Sequence, residues 1–349
     1  IGLSIAKYFS QFGKSVLIIE KESRAGEGTS SRNSGVIHAG IYYPDNSFKS
    51  RFCLEGNRLL YEYAYNKNIS HSKVGKYIVA SQEGELDSLE KLYQQGIRNN
   101  VNLQYCSKEE TEEAIPEIIC SSALFSPETG IIDVPEFITA LEGDIQHENG
   151  IVSFNTEFIS AKKSKNFFQI SCNDGTNFSI QSKKLVNASG LSSDLISYKI
   201  DQLEKRYIFP INFAKGHYFK YSAPNPFSSL VYPLADEFSL GIHVGFDLSG
   251  QLRFGPDLTW IDSIDFSFDE SLKKKFINSI HRYWPDMDPK KLHPDYVGIR
   301  PKIQNNNEGM QDFSILGPEQ HGVKGLINLQ GIESPGVTSA LAIGKYVSS

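Results

Sequence analysis

Two side chains in this 349-residue chain stand where their types could do chemistry. Arg300 interrupts an apolar run, Val297-Gly298-Ile299-Arg300-Pro301. A guanidinium inside an apolar strand is costly unless it is paired, and its planar fork matches a carboxylate. That carboxylate belongs either to a ligand or to a nearby acid such as Asp295. His243 sits in Ser239-Leu240-Gly241-Ile242-His243-Val244-Gly245, a strand-like segment. Its imidazole suits proton removal near pH 7, although a lone strand histidine also serves as an ordinary core residue. His217, in Lys215-Gly216-His217-Tyr218, competes for the same role.

Two small-residue loops are the other chemical features. The first is Ala25-Gly26-Glu27-Gly28-Thr29-Ser30-Ser31-Arg32-Asn33-Ser34-Gly35. Hydroxyls, amides and close-approach glycines at this density suit a loop laid against a pyrophosphate and a flat ring. The second runs from Gly331 to Thr338, where Pro335-Gly336 precedes a helix through Leu341, Ile343 and Tyr346. A helix N-terminus offers free N–H donors and about half a positive charge, a place for an anion.

The elements that must position these loops begin at the first residue. Ile1, Ile5, Tyr8 and Phe9 share a helical face, Gly13 is a stop, and Ser15-Val16-Leu17-Ile18-Ile19-Glu20 is a short strand ending in an acid. Helix, glycine turn, strand and acid form the second half of a dinucleotide-binding βαβ unit. Gly2 takes the place of the third glycine, and Glu20 that of the acid about 20 residues on that holds a ribose hydroxyl. The preceding strand and first two glycines are absent, so the sequence reads as a fragment or a mis-started gene product.

Composition narrows the class. Lys plus Arg is 35 against 41 Asp plus Glu, and this net charge of −6 argues against a protein that grips phosphate backbones. No apolar run is long enough to cross a bilayer and the first residues are no secretory signal. Cys53, Cys106, Cys120 and Cys172 form no CxxC pair and no zinc spacing, which points to packing in a reducing compartment and to no metal. Asn187-Ala188-Ser189 matches a glycosylation acceptor but follows Leu185-Val186 and lacks a secretory context, so it is taken as accidental.

Between the ends, a helix is expected from Ser47 to Tyr65, capped by Asp45 or Asn46, and a strand from Tyr77 to Ala80. Lys49 and Arg51 on that helix are expected on a solvated face. Ser107 with Glu110, and Asp133 with Glu136, make capping boxes. Asn173-Asp174-Gly175 marks a hairpin, the stretch from Tyr207 to Arg253 is strand-rich, and Asp269 to Tyr283 is a charged helix. Helix–strand alternation at both ends with a β-rich centre suggests two interleaved domains.

The string TSSRNSGVIHAGIYY resembles the flavin loop of FAD-dependent oxidoreductases of the D-amino-acid-oxidase superfamily, and within it the L-2-hydroxyglutarate dehydrogenases/oxidases. KLVNASGLSSDLI, DYVGIRPKI with DFSILGP, and GLINLQGIESPGVTSALAIGKYVSS are similar to three further family segments. The resemblance implies an α/β chain: a Rossmann-like, glutathione-reductase-type FAD-binding domain interleaved with an α+β substrate domain on an antiparallel sheet. It places the FAD-binding domain at 1–75, 134–205 and 296–349, and the substrate domain at 76–133 and 206–295.

It also implies roles. FAD would contact Gly2, Glu20, Lys21, Ser30, Ser31, Asn33, Ser34, His38, Gly40, Asn187, Gly190, Gly331, Pro335, Gly336 and Thr338. Some relatives tether FAD through a histidine in a loop like that of His38; the expectation here is non-covalent FAD. Arg300 would hold a substrate carboxylate, His243 would accept the hydroxyl proton, and His217 or Lys215 would meet a distal carboxylate. The expected reaction is oxidation of a small 2-hydroxy acid, L-2-hydroxyglutarate foremost, with oxygen or a quinone as acceptor. An amino-acid or amine oxidase, a glycerol-3-phosphate-type dehydrogenase and an inactive truncated flavoprotein are the alternatives. The expected location is cytoplasmic, compatible with peripheral membrane contact.

Overall fold

The computed structural model describes residues 1–234 and 241–349; Ser239 and Leu240, part of the segment around His243, lie outside them. The chain divides into two compact units that alternate along the sequence. One comprises Ile1–Ser31, Val134–Phe213 and Arg300–Ser349, and the other Arg32–Asp133 and Ala214–Ile299. Segment 32–75, placed on sequence with the first unit, packs with the second.

The first unit has the parallel pairings and covering helices of a Rossmann-type domain. Helix Gly2–Gln11 buries Ile5, Ala6 and Phe9, and the chain turns at Gly13, which has φ +68°. Strand Leu17–Ile19 follows and pairs in parallel with Ile151–Ser153. Helix Gly336–Ser348 packs on the first helix through Gly344, where a Cβ would lie 2.7 Å from the Ser4 carbonyl oxygen. Only glycine permits that approach. Strand Leu326–Gln330 runs parallel to Leu185–Asn187 and antiparallel to Ser314–Leu316. An antiparallel meander, Glu157–Lys163, Phe168–Asn173 and Asn177–Ser182, turns at the expected Asn173-Asp174-Gly175, with Gly175 at φ +107°. Phe168, Ile170, Cys172, Ile200 and Leu326 form the core beneath it.

The second unit is α+β. Its main sheet, among the described residues, includes Gln104–Ser107, Ser122–Ser126, Lys76–Ala80, Leu230–Pro233, Val244–Phe246 and Leu252–Phe254 in that spatial order. Most neighbours are antiparallel; Lys76–Ala80 and Leu230–Pro233 are parallel. Strand alternation sends Tyr77 and Val79 to one core and Ile78 and Ala80 to another. Helix Phe48–Asn66 borders the unit. Ser47, not Asp45 or Asn46, caps it by accepting the Ser50 N–H; Asn46 is spent on the turn before it, at φ +62°. Lys49 departs from the expected solvated face: it is buried, at 2%, while Arg51 is exposed. The Ser107–Glu110 capping box forms as expected. The Asp269–Tyr283 helix is shorter, a 3-10 turn over Glu270–Leu272 and then Lys273–His281.

Candidate active site

In the second unit, one sheet face gathers the groups that can do chemistry. Lys76 opens its strand and lies on the face of Ile78 and Ala80, in register with Leu230 of the next strand. Tyr232, in register with Ile78, therefore points to the same face. Val231 pairs with Val244 on the opposite face, which turns His243 toward Tyr232. The two rings stack with centroids 3.6 Å apart and 5° between planes. The Lys76 ammonium lies 4.7 Å from the Tyr232 ring centroid and 4.8 Å from that of Tyr42.

His38 joins this group from the loop after strand Val36–Ile37. Its backbone carbonyl accepts hydrogen bonds from Asn57 Nδ2 at 2.9 Å and Cys53 Sγ at 3.5 Å, so helix Phe48–Asn66 fixes the loop. Burial, then the Lys76 ammonium and then His243 push the His38 imidazole down to about 3, so it is neutral at pH 7. Burial likewise brings the Lys76 ammonium down to about 7. Tyr42 and Tyr232 are pushed up by burial and stay protonated. His38, Tyr42 and His243 are half-buried, whereas Lys76 is 1% exposed.

His217 is placed differently. It is 2% exposed, and both its backbone N–H and its Nδ1 bond Asp257 Oδ1, at 2.7 and 2.9 Å. Burial raises the Asp257 carboxyl, but the hydrogen bonds from His217 outweigh it and the net shift is downward. Phe268 packs edge-on against the His217 ring. Lys215 bonds Asp265 at 2.9 Å and Ser267 at 3.3 Å. Both groups expected near a distal carboxylate are thus engaged by the protein's own acids. Asn33 Oδ1 accepts the Gly35 N–H in a local turn, Ser34 is exposed, and Gly40 sits at φ +93° against Leu54.

The first unit holds most of the expected cofactor residues. Helix Gly2–Gln11 leaves the amides of residues 2–4 without intrahelical acceptors, since its first bond is Ile5 N–H to the Ile1 carbonyl. Glu20 ends its strand half-buried, with Oε1 accepting the Glu22 N–H at 3.0 Å, and Lys21 pairs in solvent with Glu22. The Ser31 hydroxyl donates to the Glu27 and Gly28 carbonyls. At Gly28 and Gly190 a Cβ would meet nothing within 4 Å. Asn187 is spent inward: its Nδ2 donates to the Ser193 carbonyl, Ser197 Oγ and Asn328 Oδ1, and its Oδ1 accepts from Ser189. That network leaves its amide closed to glycosylation and gives it the work of fixing the turn.

Gly331, at φ +65°, would clash with Ile303 if it bore a Cβ. Next to it, Glu333 forms a buried pair with Lys302 at 2.6 Å and receives Gly336 N–H on its carbonyl. Pro335 and Thr338 are buried at the start of the last helix, with Gly336 half-buried between them. Arg300, half-buried, opens the last segment of this unit. Asp295, its expected alternative partner, instead bonds Arg253 at 2.7 Å in the second unit. Among the described residues no cluster of three or more His, Cys, Asp or Glu could hold a metal.

Comparison with known proteins turns this arrangement into an assignment. The model of the family described as FAD dependent oxidoreductase (DAO) matches residues 1–349. This chain belongs to that family. The oxidoreductase is 36% identical over 391 residues to the mitochondrial L-2-hydroxyglutarate dehydrogenase of Arabidopsis thaliana, covering 100% of this chain and 81% of that one. It is 31% identical to the glycerol 3-phosphate dehydrogenase of Caloramator mitchellensis, covering 99% and 71%. Among solved structures it resembles the dithionite-reduced, FAD-bound L-alpha-glycerophosphate oxidase of Mycoplasma pneumoniae, at TM-score 0.88, 25% identity and coverage of 99% and 91%.

FAD is its cofactor. The first unit fits that group: three amides without intrahelical acceptors at a helix start, an acid closing the next strand, and glycines with open space where a side chain would stand. Among the described residues no helix is long and apolar enough to cross a membrane.

Proposed function

We propose that this oxidoreductase converts a small 2-hydroxy acid, L-2-hydroxyglutarate, to the 2-oxo acid. The observation that carries the reading is the 36% identity to the Arabidopsis L-2-hydroxyglutarate dehydrogenase over the whole of this chain. Bound FAD supplies the acceptor for the hydride that leaves the substrate carbon. The amides at the first helix and the Glu20 carboxylate hold the cofactor, and the last loop, from Gly331 to Thr338, lies at a helix start suited to anionic charge.

The remaining chemistry belongs to side chains. His243, held flat against Tyr232, takes the hydroxyl proton. Burial first, and then the neighbouring Lys76, keep His38 unprotonated. Arg300 takes the carboxylate beside the reacting carbon. FAD is held without a covalent link to His38. Four unpaired thiols support a reducing compartment.

A second reading, oxidation of glycerol 3-phosphate, is favoured by the 31% identity to the Caloramator enzyme. Anaerobic mixing with L-2-hydroxyglutarate, glycerol 3-phosphate, glycine and sarcosine separates the readings. Bleaching of the flavin absorbance is expected with L-2-hydroxyglutarate. Bleaching by glycerol 3-phosphate or an amino acid alone overturns the proposal. Reoxidation by oxygen or by a quinone then identifies the acceptor.

A further inference from the structure

We propose that Lys76 is the anchor for a second carboxylate on the substrate, remote from the reacting carbon. The inference rests on the 2-hydroxy-acid reading and specifies which 2-hydroxy acids the site selects. Its starting point is a contrast among the cations of the second unit. Lys215 bonds Asp265, Arg253 bonds Asp247 and Asp295, and Lys73 bonds Glu128. Lys76 is more deeply buried than any of these, and among the described residues its ammonium makes no ion pair or hydrogen bond. It meets the rings of Tyr42 and Tyr232.

A buried cation with only aromatic neighbours is left short of a counter-charge. Among the described residues the groups around it do not supply one. His38 is neutral, and burial holds the Cys53 thiol and both tyrosines protonated. An anion arriving here would meet an ammonium and be flanked by phenols that can donate. His38, Tyr42 and His243 are each half-buried beside the fully buried Lys76.

A substrate with one carboxylate has nothing for this cation, since the α-carboxylate is assigned to Arg300. A dicarboxylic 2-hydroxy acid does. Of the other candidates for the distal group, Lys215 is bonded to Asp265, and His217 is bonded to Asp257 through Nδ1 with its Nε2 left unpartnered. Lys76 was missed because the strand was expected to begin at Tyr77, which left a charged residue outside the alternation. The signal was present: a lysine two residues before Ile78 shares its apolar face.

The test is calorimetric binding of glutarate and butyrate to the FAD-loaded protein, wild type, Lys76→Met and Lys76→Arg. Wild type is expected to bind glutarate more tightly than butyrate. Lys76→Met should lose glutarate affinity by roughly 10- to 100-fold, the weight of one charge-assisted hydrogen bond, with butyrate nearly unchanged. Lys76→Arg should keep the glutarate preference. Equal wild-type affinity for the two acids, or equal losses for both in Lys76→Met, overturns the proposal. Tighter Lys76-dependent binding of inorganic phosphate than of glutarate also overturns it, by assigning the cation to a phosphate. Flavin reduction by L-2-hydroxyglutarate is followed in parallel. Turnover without Lys76-dependent glutarate binding sinks the anchor alone, and Lys76-dependent binding without turnover sinks the reaction alone.

Discussion

Lys302 in the first unit and Lys76 in the second are buried in opposite ways. In the first, Asn187 is tied to Asn328, Ser193 and Ser197, and Lys302 is tied to Glu333. In the second, Lys76 is buried against aromatic rings and His38 is held neutral beside it. Satisfied polar groups fix a unique backbone path. Uncompensated ones cost stability and are retained where a ligand completes them. On the proposed reading the first unit shapes the cradle of the cofactor, and Lys76 in the second receives charge.

The largest effect is expected where satisfaction is removed. Lys302→Met strips Glu333 of its ammonium partner, and breaking one side of a buried pair costs about 3–5 kcal/mol. Urea unfolding should show that loss together with weaker FAD retention, because Glu333 sits in the loop before the last helix. Lys302→Met with Glu333→Leu should recover most of the stability. A loss under about 1 kcal/mol in the single variant would place the pair among ordinary surface bridges and break the contrast.

The opposite sign is expected at Lys76. Replacing a buried charge by a well-packed apolar residue is often neutral or stabilising by about 1–4 kcal/mol, so Lys76→Met should melt higher than wild type while losing glutarate. The pH dependence carries the proof. Lys76 falls from 10.5 to about 7 on folding. Between those values the unfolded chain holds the proton that the folded one has lost, so wild-type stability rises with pH there. Below about pH 7 both states are protonated and the cost is fully present. Lys76→Met should lack that rise. A variant that melts lower at every pH would make Lys76 a structural residue.

Much of the first unit was legible because its signals are local. The helix stop at Gly13, the strand into Glu20, and the Asn173-Asp174-Gly175 turn are each decided by a few neighbouring residues. The capping box at Ser107 is local too. What escaped is pairing at a distance. Asp295 chose Arg253 over Arg300, and Lys49 turned inward from a helix face that looked solvated. His217 could not be told from His243 by sequence, since both are single imidazoles in strand-like segments. What separates them is Asp257, which lies 40 positions from His217. Periodicity reveals which face a side chain occupies, but not what waits on the other side.

The smallest effect near neutrality is expected at His38, and it sharpens the account of the second unit. The folded protein holds this imidazole down to about 3, against 6.5 when unfolded. Above pH 6.5 both states are neutral there, so His38→Asn should leave stability within about 0.5 kcal/mol at pH 7.5. As pH falls from 6.5 toward 3, the unfolded chain takes up a proton that the folded one refuses, and wild type loses stability. His38→Asn should lose less over that window, as read by urea midpoints at pH 7.5, 5.5 and 4.5. Lys76→Met removes one of the charges that depress His38, so its acid loss should also be shallower than that of wild type. Parallel acid slopes in wild type and both variants would mean that lysine and imidazole do not sense one another, and the second unit would no longer stand apart from the first.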